Sequence, residues 1–157
     1  MIIREIEKQD NEIVKNIIQR SLELHDLDIP GSAYFDPQLG YLHEYYKEIK
    51  HAKYWVIEID GEVVGGVGIA PFNVEEGICE LQKLYIKPTH QGLGLSKNLM
   101  NEALNFAETH YKACYLETMH KLATASKLYE KLGFTLLSEP IPGSDHSAMD
   151  AWYIKQF

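Results

Sequence analysis

The chain has 157 residues, is 45% hydrophobic and carries a net charge of −8. That length can bury one sizeable core, so residues 1–157 are expected to form a single domain. The acidic balance argues against a dedicated nucleic-acid binder. No run approaches the ~18 apolar residues of a membrane span, and "MIIREIEKQD" is charged too early for a secretory leader. Cys79 and Cys114 lie inside strand-like runs without CxxC or metal spacing, which suits buried free thiols in a reducing compartment. Cytoplasmic residence is the expectation.

"MIIREI" reads as a first strand, and residues 11–24 as a helix with Ile13, Val14, Ile17, Ile18 and Leu22 on one face. The irregular stretch "HDLDIPGSAYFDPQLG" follows, then a short aromatic helix in "YLHEYYKEI". "KYWVIEI" and "EVVGGVGIA" are strands joined by Asp60-Gly61, a dipeptide suited to a tight hairpin. "GICELQKLYIKP" is a strand stopped by Pro88. Strict alternation along it would place Glu80, Gln82, Leu84 and Ile86 on one face. A helix runs from about Leu95 to Tyr111, with Leu95, Leu99, Ala103 and Ala107 in one stripe and Met100 and Leu104 beside it. "ACYLETM" is a strand, and "ATASKLYEKLG" a short helix with Ala125, Leu128, Tyr129 and Leu132 on one face, ended by Gly133. "FTLLS" and "AWYIKQF" are the last strands. A hairpin-linked part thus precedes a β-α-β crossover, which predicts an α/β fold with a mixed sheet.

The crossover begins with "HQGLGLSK" (residues 90–97). Gly92 and Gly94 give the backbone freedom, and a helix opening there presents unpaired N–H groups and a positive dipole end, the makings of an anion site. Lys97 adds a charge. Residues 80–135 carry 7 bases against 5 acids, whereas residues 1–79 carry 15 acids against 7 bases, so only the loop's own segment is net basic. The Walker pattern GxxxxGK[ST] is absent, and the dinucleotide fingerprint GxGxxG fails at Lys97. A dinucleotide domain would also lead with its fingerprint, whereas about half of this chain precedes the loop.

The loop resembles the acetyl-CoA pyrophosphate loop of the GNAT superfamily of N-acetyltransferases, Arg/Gln-x-x-Gly-x-Gly/Ala, with Gln91 first, Gly94 fourth and Ser96 replacing the usual Gly/Ala. "LYIKP", "LSKNLMNEALNFA", "CYLET" and "ASKLYEKLGF" recur in that family in this order, and the likeness covers most of residues 53–138. The resemblance implies a mostly antiparallel mixed sheet flanked by helices, with central strands that splay to admit the pantetheine arm. It implies that the backbone of Leu84, Tyr85 and Ile86 pairs with that arm. It also implies that Gln91, Gly92, Leu93, Gly94, Leu95, Ser96 and Lys97 wrap the pyrophosphate of acetyl-CoA. Many members carry an asparagine where this chain has Leu122, so a contact from that side chain is lost.

For acetyl transfer to a primary amine by direct attack, the resemblance points to two residues. Tyr129, in "LYEKLGF", corresponds to the tyrosine that faces the CoA sulfur; the apolar stripe taken alone would give it a purely core role. Glu80, eleven residues before Gln91, matches the glutamate base of histone-acetylating members; by itself it could equally be a solvated strand end. Glu117 ends the following strand and could bind a cationic acceptor, act as a second base, or stand in solvent. No histidine pair or HExxH suggests a metal.

In GNAT-like folds the segment between the first two helices covers the acceptor side. Here it joins Asp26, Asp28 and Asp36 to Tyr34, Phe35, Tyr41, Tyr45 and Tyr46, and carboxylates with aromatic faces favour a cation. Tyr34, Phe35, Asp36 and Glu117 are therefore the candidate acceptor contacts, for a small cationic amine or a lysine-containing acceptor. The tail loop "PIPGSDHSAMD" carries Asp145 and His146, and spacing alone does not place them. The terminal strand could support a homodimer. Rival readings are a catalytically silent CoA-binding regulatory module and an enzyme using another acyl-CoA.

Overall fold

The computed structural model describes all 157 residues. Seven strands form one sheet in the order β1-β2-β3-β4-β5-β7-β6, comprising β1 (Ile2–Glu5), β2 (Lys53–Ile59), β3 (Glu62–Asn73), β4 (Ile78–Ile86), β5 (Ala113–Thr118), β6 (Thr135–Leu137) and β7 (Ala151–Gln156). Only β4 and β5 pair in parallel, as a strand–helix–strand crossover requires. Helices α1 (Asn11–Leu24) and α2 (Leu42–Lys47) cover one face, α3 (Leu95–His110) and α4 (Ala123–Lys131) the other. None of the helices is long and apolar enough to cross a membrane.

The helical periodicities expected from the sequence match the packing. Val14, Ile17, Ile18 and Leu22 of α1 are buried, as are Leu95, Leu99, Met100, Ala103, Leu104 and Ala107 of α3. Asp60-Gly61 forms the β2–β3 turn with both residues at positive φ, as a tight hairpin demands.

The expected alternation in β4 fails at Lys83. Gly66 of β3 pairs with Tyr85 and Gly68 with Gln82, so Val67 lies opposite two residues, Lys83 and Leu84. This is a β-bulge, and Lys83 adopts φ +52° within it. Before the bulge, Cys79 and Leu81 face α3; after it, Leu84 and Ile86 do. Glu80 and Gln82 therefore point toward α1 and α2, away from Leu84 and Ile86, contrary to strict alternation.

Left-handed backbone at a non-glycine residue costs about 1–2 kcal/mol, so something must hold it. The Tyr54 hydroxyl donates to the Lys83 carbonyl at 2.9 Å, and the Lys83 ammonium reaches Asp36 at 2.5 Å. The Tyr54 ring crosses β3 over Gly66 and Gly68, and the Tyr46 ring lies over Gly68. A Cβ on Gly66 would sit 2.5 Å from the Tyr54 ring and 2.8 Å from the Trp55 carbonyl oxygen. Gly66→Ala should accordingly destabilise the fold by about 1–3 kcal/mol, the range for overpacking a filled core, read as a lowered midpoint in urea. An unchanged midpoint would mean that the tyrosine does not depend on this gap.

Candidate active site

Register between β4 and β5 covers three pairs and ends at Glu80↔Tyr115; beyond it the strands separate. The gap widens into a cleft of about 680 Å³. One wall is the stretch Glu80–Ile86, another the residues Leu116–Thr118 with the start of α4, and a third the loop before α3.

At the loop end, Gly92 and Gly94 take φ +79° and +77°, where a Cβ would meet open space. Glycine is needed there for the backbone conformation and not for room. Gly94 is the N-cap of α3 and supplies no side-chain cap. The amides from Gln91 to Lys97 find no protein acceptor; the next, Asn98, returns to the Gly94 carbonyl. A helix start with unspent donors and Lys97 beside it suits a diphosphate. Gln91 is tied by its side-chain amide to the Ile86 carbonyl at 3.3 Å, joining loop to strand. Leu84, Tyr85, Ile86, Gln91, Gly92, Gly94, Leu95, Ser96 and Lys97 all line the cleft; Leu93 is exposed and does not.

Tyr129 reaches the cleft from α4, and the motif around it has a mechanical cause. The Phe134 amide donates to the Tyr129 carbonyl and the Gly133 amide to the Glu130 carbonyl, a Schellman ending with Gly133 at φ +92°. The same ending stacks Phe134 against Tyr129, with centroids 6.1 Å apart, and Tyr153 lies 5.8 Å away on the sheet. Burial and the neighbouring Tyr153 push the Tyr129 hydroxyl up to about 12, so it keeps its proton at neutral pH. The packing role and the cleft position hold together.

Glu80 sits where the strands part. Its Oε1 accepts from Gln82 Nε2 at 2.7 Å, and Gln82 in turn accepts from the Tyr46 hydroxyl at 2.6 Å. Burial raises the Glu80 carboxyl above its ordinary value, and the nearby Glu117 adds to this against the opposing Gln82, His146 and Lys83. Glu117 also lines the cleft and is not a free strand end: the Tyr115 hydroxyl donates to it at 2.8 Å, and the Ser144 hydroxyl donates to its other oxygen.

Asp36 binds the Lys83 ammonium at 2.5 Å and the His146 ring at 3.0 Å. Burial would raise this carboxyl, but the His146 hydrogen bond and the Lys83 charge outweigh it and hold it low. In return, the Asp36 hydrogen bond raises His146 against the opposing effect of burial. Asp36 is thus occupied by two protein cations. Tyr34 and Phe35 pack edge-on at 5.0 Å outside the cleft, and Asp26 and Asp28 are exposed. The loop's acids and aromatics do not gather around the cleft as the sequence suggested. Neither cation on Asp36 has a local sequence motif; the only signal in the sequence is a lysine, Lys83, inside an apolar strand. Both cysteines are buried, and burial pushes the Cys114 thiol up, which disfavours a thiolate.

The sequence pattern of the Acetyltransferase (GNAT) family matches residues 20–134. The chain belongs to the GNAT family of acetyltransferases. An uncharacterized N-acetyltransferase of Escherichia coli K12, YjgM, is 43% identical over 136 residues, 85% of this chain and 81% of that protein. Human N-acetylaspartate synthetase is 35% identical over 106 residues, which cover 67% of this chain but only 33% of that protein. Among solved structures, a GNAT acetyltransferase of Staphylococcus aureus Mu50 superposes with a TM-score of 0.81 at 20% identity, covering 99% of this chain and 98% of that one. The acetyltransferase yncA of Salmonella typhimurium, solved with acetyl-CoA, gives 0.79 at 22% identity over 99% and 93%. These likenesses establish the splayed, mostly antiparallel GNAT sheet. As a GNAT member the chain is an acetyl-CoA-dependent N-acetyltransferase.

The raised Glu80 carboxyl has a thermodynamic sign. The native state holds this proton more tightly than the unfolded chain does. Stability therefore falls as pH rises from the ordinary glutamate range through the raised native value, and stays lower above it. Glu80→Gln, which can still accept from Gln82, should raise the melting temperature at pH 8 relative to the parent and leave it little changed near pH 4. Equal shifts at both pH values would show that the carboxyl is not perturbed.

Proposed function

We propose that this GNAT enzyme transfers acetyl directly from acetyl-CoA to a primary amine, with Glu80 as general base and Tyr129 as general acid. One observation carries the reading: the separation of β4 from β5 joins, in one cleft, a loop of unspent amides, a partly buried carboxyl with raised affinity for protons, and a protonated tyrosine.

The fit to the donor is chemical. The amides of Gln91 to Lys97 would bind the diphosphate, and the β4 edge from Leu84 to Ile86, released from β5, would offer its backbone to the pantetheine amides. Leu122, the N-cap of α4, lines the cleft without a polar side chain, so only backbone could serve there. The amine nitrogen forms its bond to the acetyl carbon while the carbon–sulfur bond breaks. The amine's proton passes to Glu80, directly or through water, and the departing thiolate takes the hydroxyl proton of Tyr129. No covalent enzyme intermediate is needed. The cationic acceptor suggested by the acid-rich loop loses support, since Asp36 is already matched by Lys83 and His146.

Acetyl-CoA-dependent thiol release against pooled amines tests the reading. Tyr129→Phe keeps the ring packing and should lower kcat by about 10²-fold or more with little change in KM for acetyl-CoA, the usual scale for a positioned acid. An unchanged kcat would leave Tyr129 a packing residue. Acetyl-CoA binding with no thiol release from any pool would favour the silent CoA-binding module, and faster release from propionyl- or succinyl-CoA would reassign the donor.

A further inference from the structure

The acceptor end of the cleft carries charge of both signs. Glu80 and Glu117 stand on β4 and β5 where the strands part, close enough for Glu117 to disfavour ionisation of Glu80. Lys83 and His146 line the same cleft and both act on Glu80 with the opposite sign. The side chain of Lys83 is only 3% exposed, and its ammonium has three donors of which Asp36 takes one. His146 turns Nε2 to Asp36, leaving Nδ1 without a protein partner. On the α1 wall, the buried Ser21 hydroxyl also lacks a partner, and Ser21 lines the cleft. Buried polar groups ordinarily find partners, and a buried cation with unspent donors is costly unless something fills them.

We propose that the acceptor is a small free amino acid, its amine directed to Glu80 and Glu117 and its carboxylate held by Lys83 and His146. This rests on the transfer reading above and names its substrate class. A polyamine would set a second cation against Lys83 and His146, because Asp36 is already shared between them. An amine without a carboxylate would leave their donors unfilled. An amino acid brings an ammonium for the two glutamates and a carboxylate for Lys83 and His146 in one molecule. Lys83 and His146 are specificity-determining contacts in this arrangement, and Asp36 orients them.

The test compares each free amino acid with its α-amide and with the amine left when the carboxyl is removed, using acetyl-CoA-dependent thiol release by the full chain. At least one amino acid should exceed both of its partners by about tenfold or more in kcat/KM, the scale of one charge-assisted hydrogen bond. His146→Gln and Lys83→Met should each collapse that ratio by raising KM for the amino acid while sparing KM for acetyl-CoA and for the decarboxylated amine. A purely structural role would weaken all acceptors alike. His146→Gln lies in a loop and keeps the test valid if Lys83→Met fails to fold. Equal rates for amino acid, amide and amine would overturn the proposal and leave the transfer reading standing, as would a ratio that survives both substitutions. Absence of thiol release from every acceptor, with acetyl-CoA still bound, would overturn the transfer reading and this proposal with it.

Discussion

The single extra residue in β4 is the constraint on which the site depends. A regular strand would put Lys83 among Cys79 and Leu81, facing α3, with its ammonium in an apolar core. The bulge turns Lys83 out of that row and lets Leu84 and Ile86 take up the apolar face in its place. The cost of left-handed backbone at Lys83 is offset by partners that only this fold assembles: the Tyr54 hydroxyl on its carbonyl and Asp36 on its ammonium. The tyrosine can arrive because the glycines at 66 and 68 leave β3 bare on that side. The "GGVG" run is thus as much a part of the site as the loop before α3.

The bulge and the parting of β4 from β5 occur within a few residues of each other. β4 keeps its partner β3 through an irregular stretch while losing β5. Backbone groups there would be left unsatisfied in an ordinary core, where nearly all such groups are paired. Beside a cleft they can be met by water or by a substrate that brings its own amides. Glu80, at the last paired position, is partly buried on the protein side and open on the cleft side. That boundary position is what gives a carboxyl raised affinity for protons without removing it from reach.

The sequence made the glycine-loop end of this cleft legible and the opposite end much less so, for a physical reason. The glycine loop, the helix it opens and the glycine that ends α4 are local devices, set by residues within one or two turns of each other. Their bounds follow from capping, periodicity and the demand for positive φ. The opposite end is built from pairs far apart in sequence: Asp36 with His146 across 110 positions, Asp36 with Lys83 across 47, Glu117 with Ser144 across 27. No periodicity encodes such pairings. The acids between α1 and α2 read as a cationic pocket because their partners were not visible; folding supplies Lys83 and His146 to the one acid that turns inward.

The bulge itself left a trace. In "CELQKLYI" the apolar residues at 79 and 81 continue at 84 and 86, a step of three in a pattern of two. A strand that must keep one face apolar can make that step only by inserting a residue, and the residue inserted is the lysine. A charged residue at a break in strand phase, bracketed by apolar positions on both sides, therefore says two things together. The strand bulges there, and the charge has a partner on the opposite face. Asp36, which the acidic, aromatic loop marks only as a candidate acceptor contact, is that partner, and through it the loop between α1 and α2 is held against both the sheet and the tail.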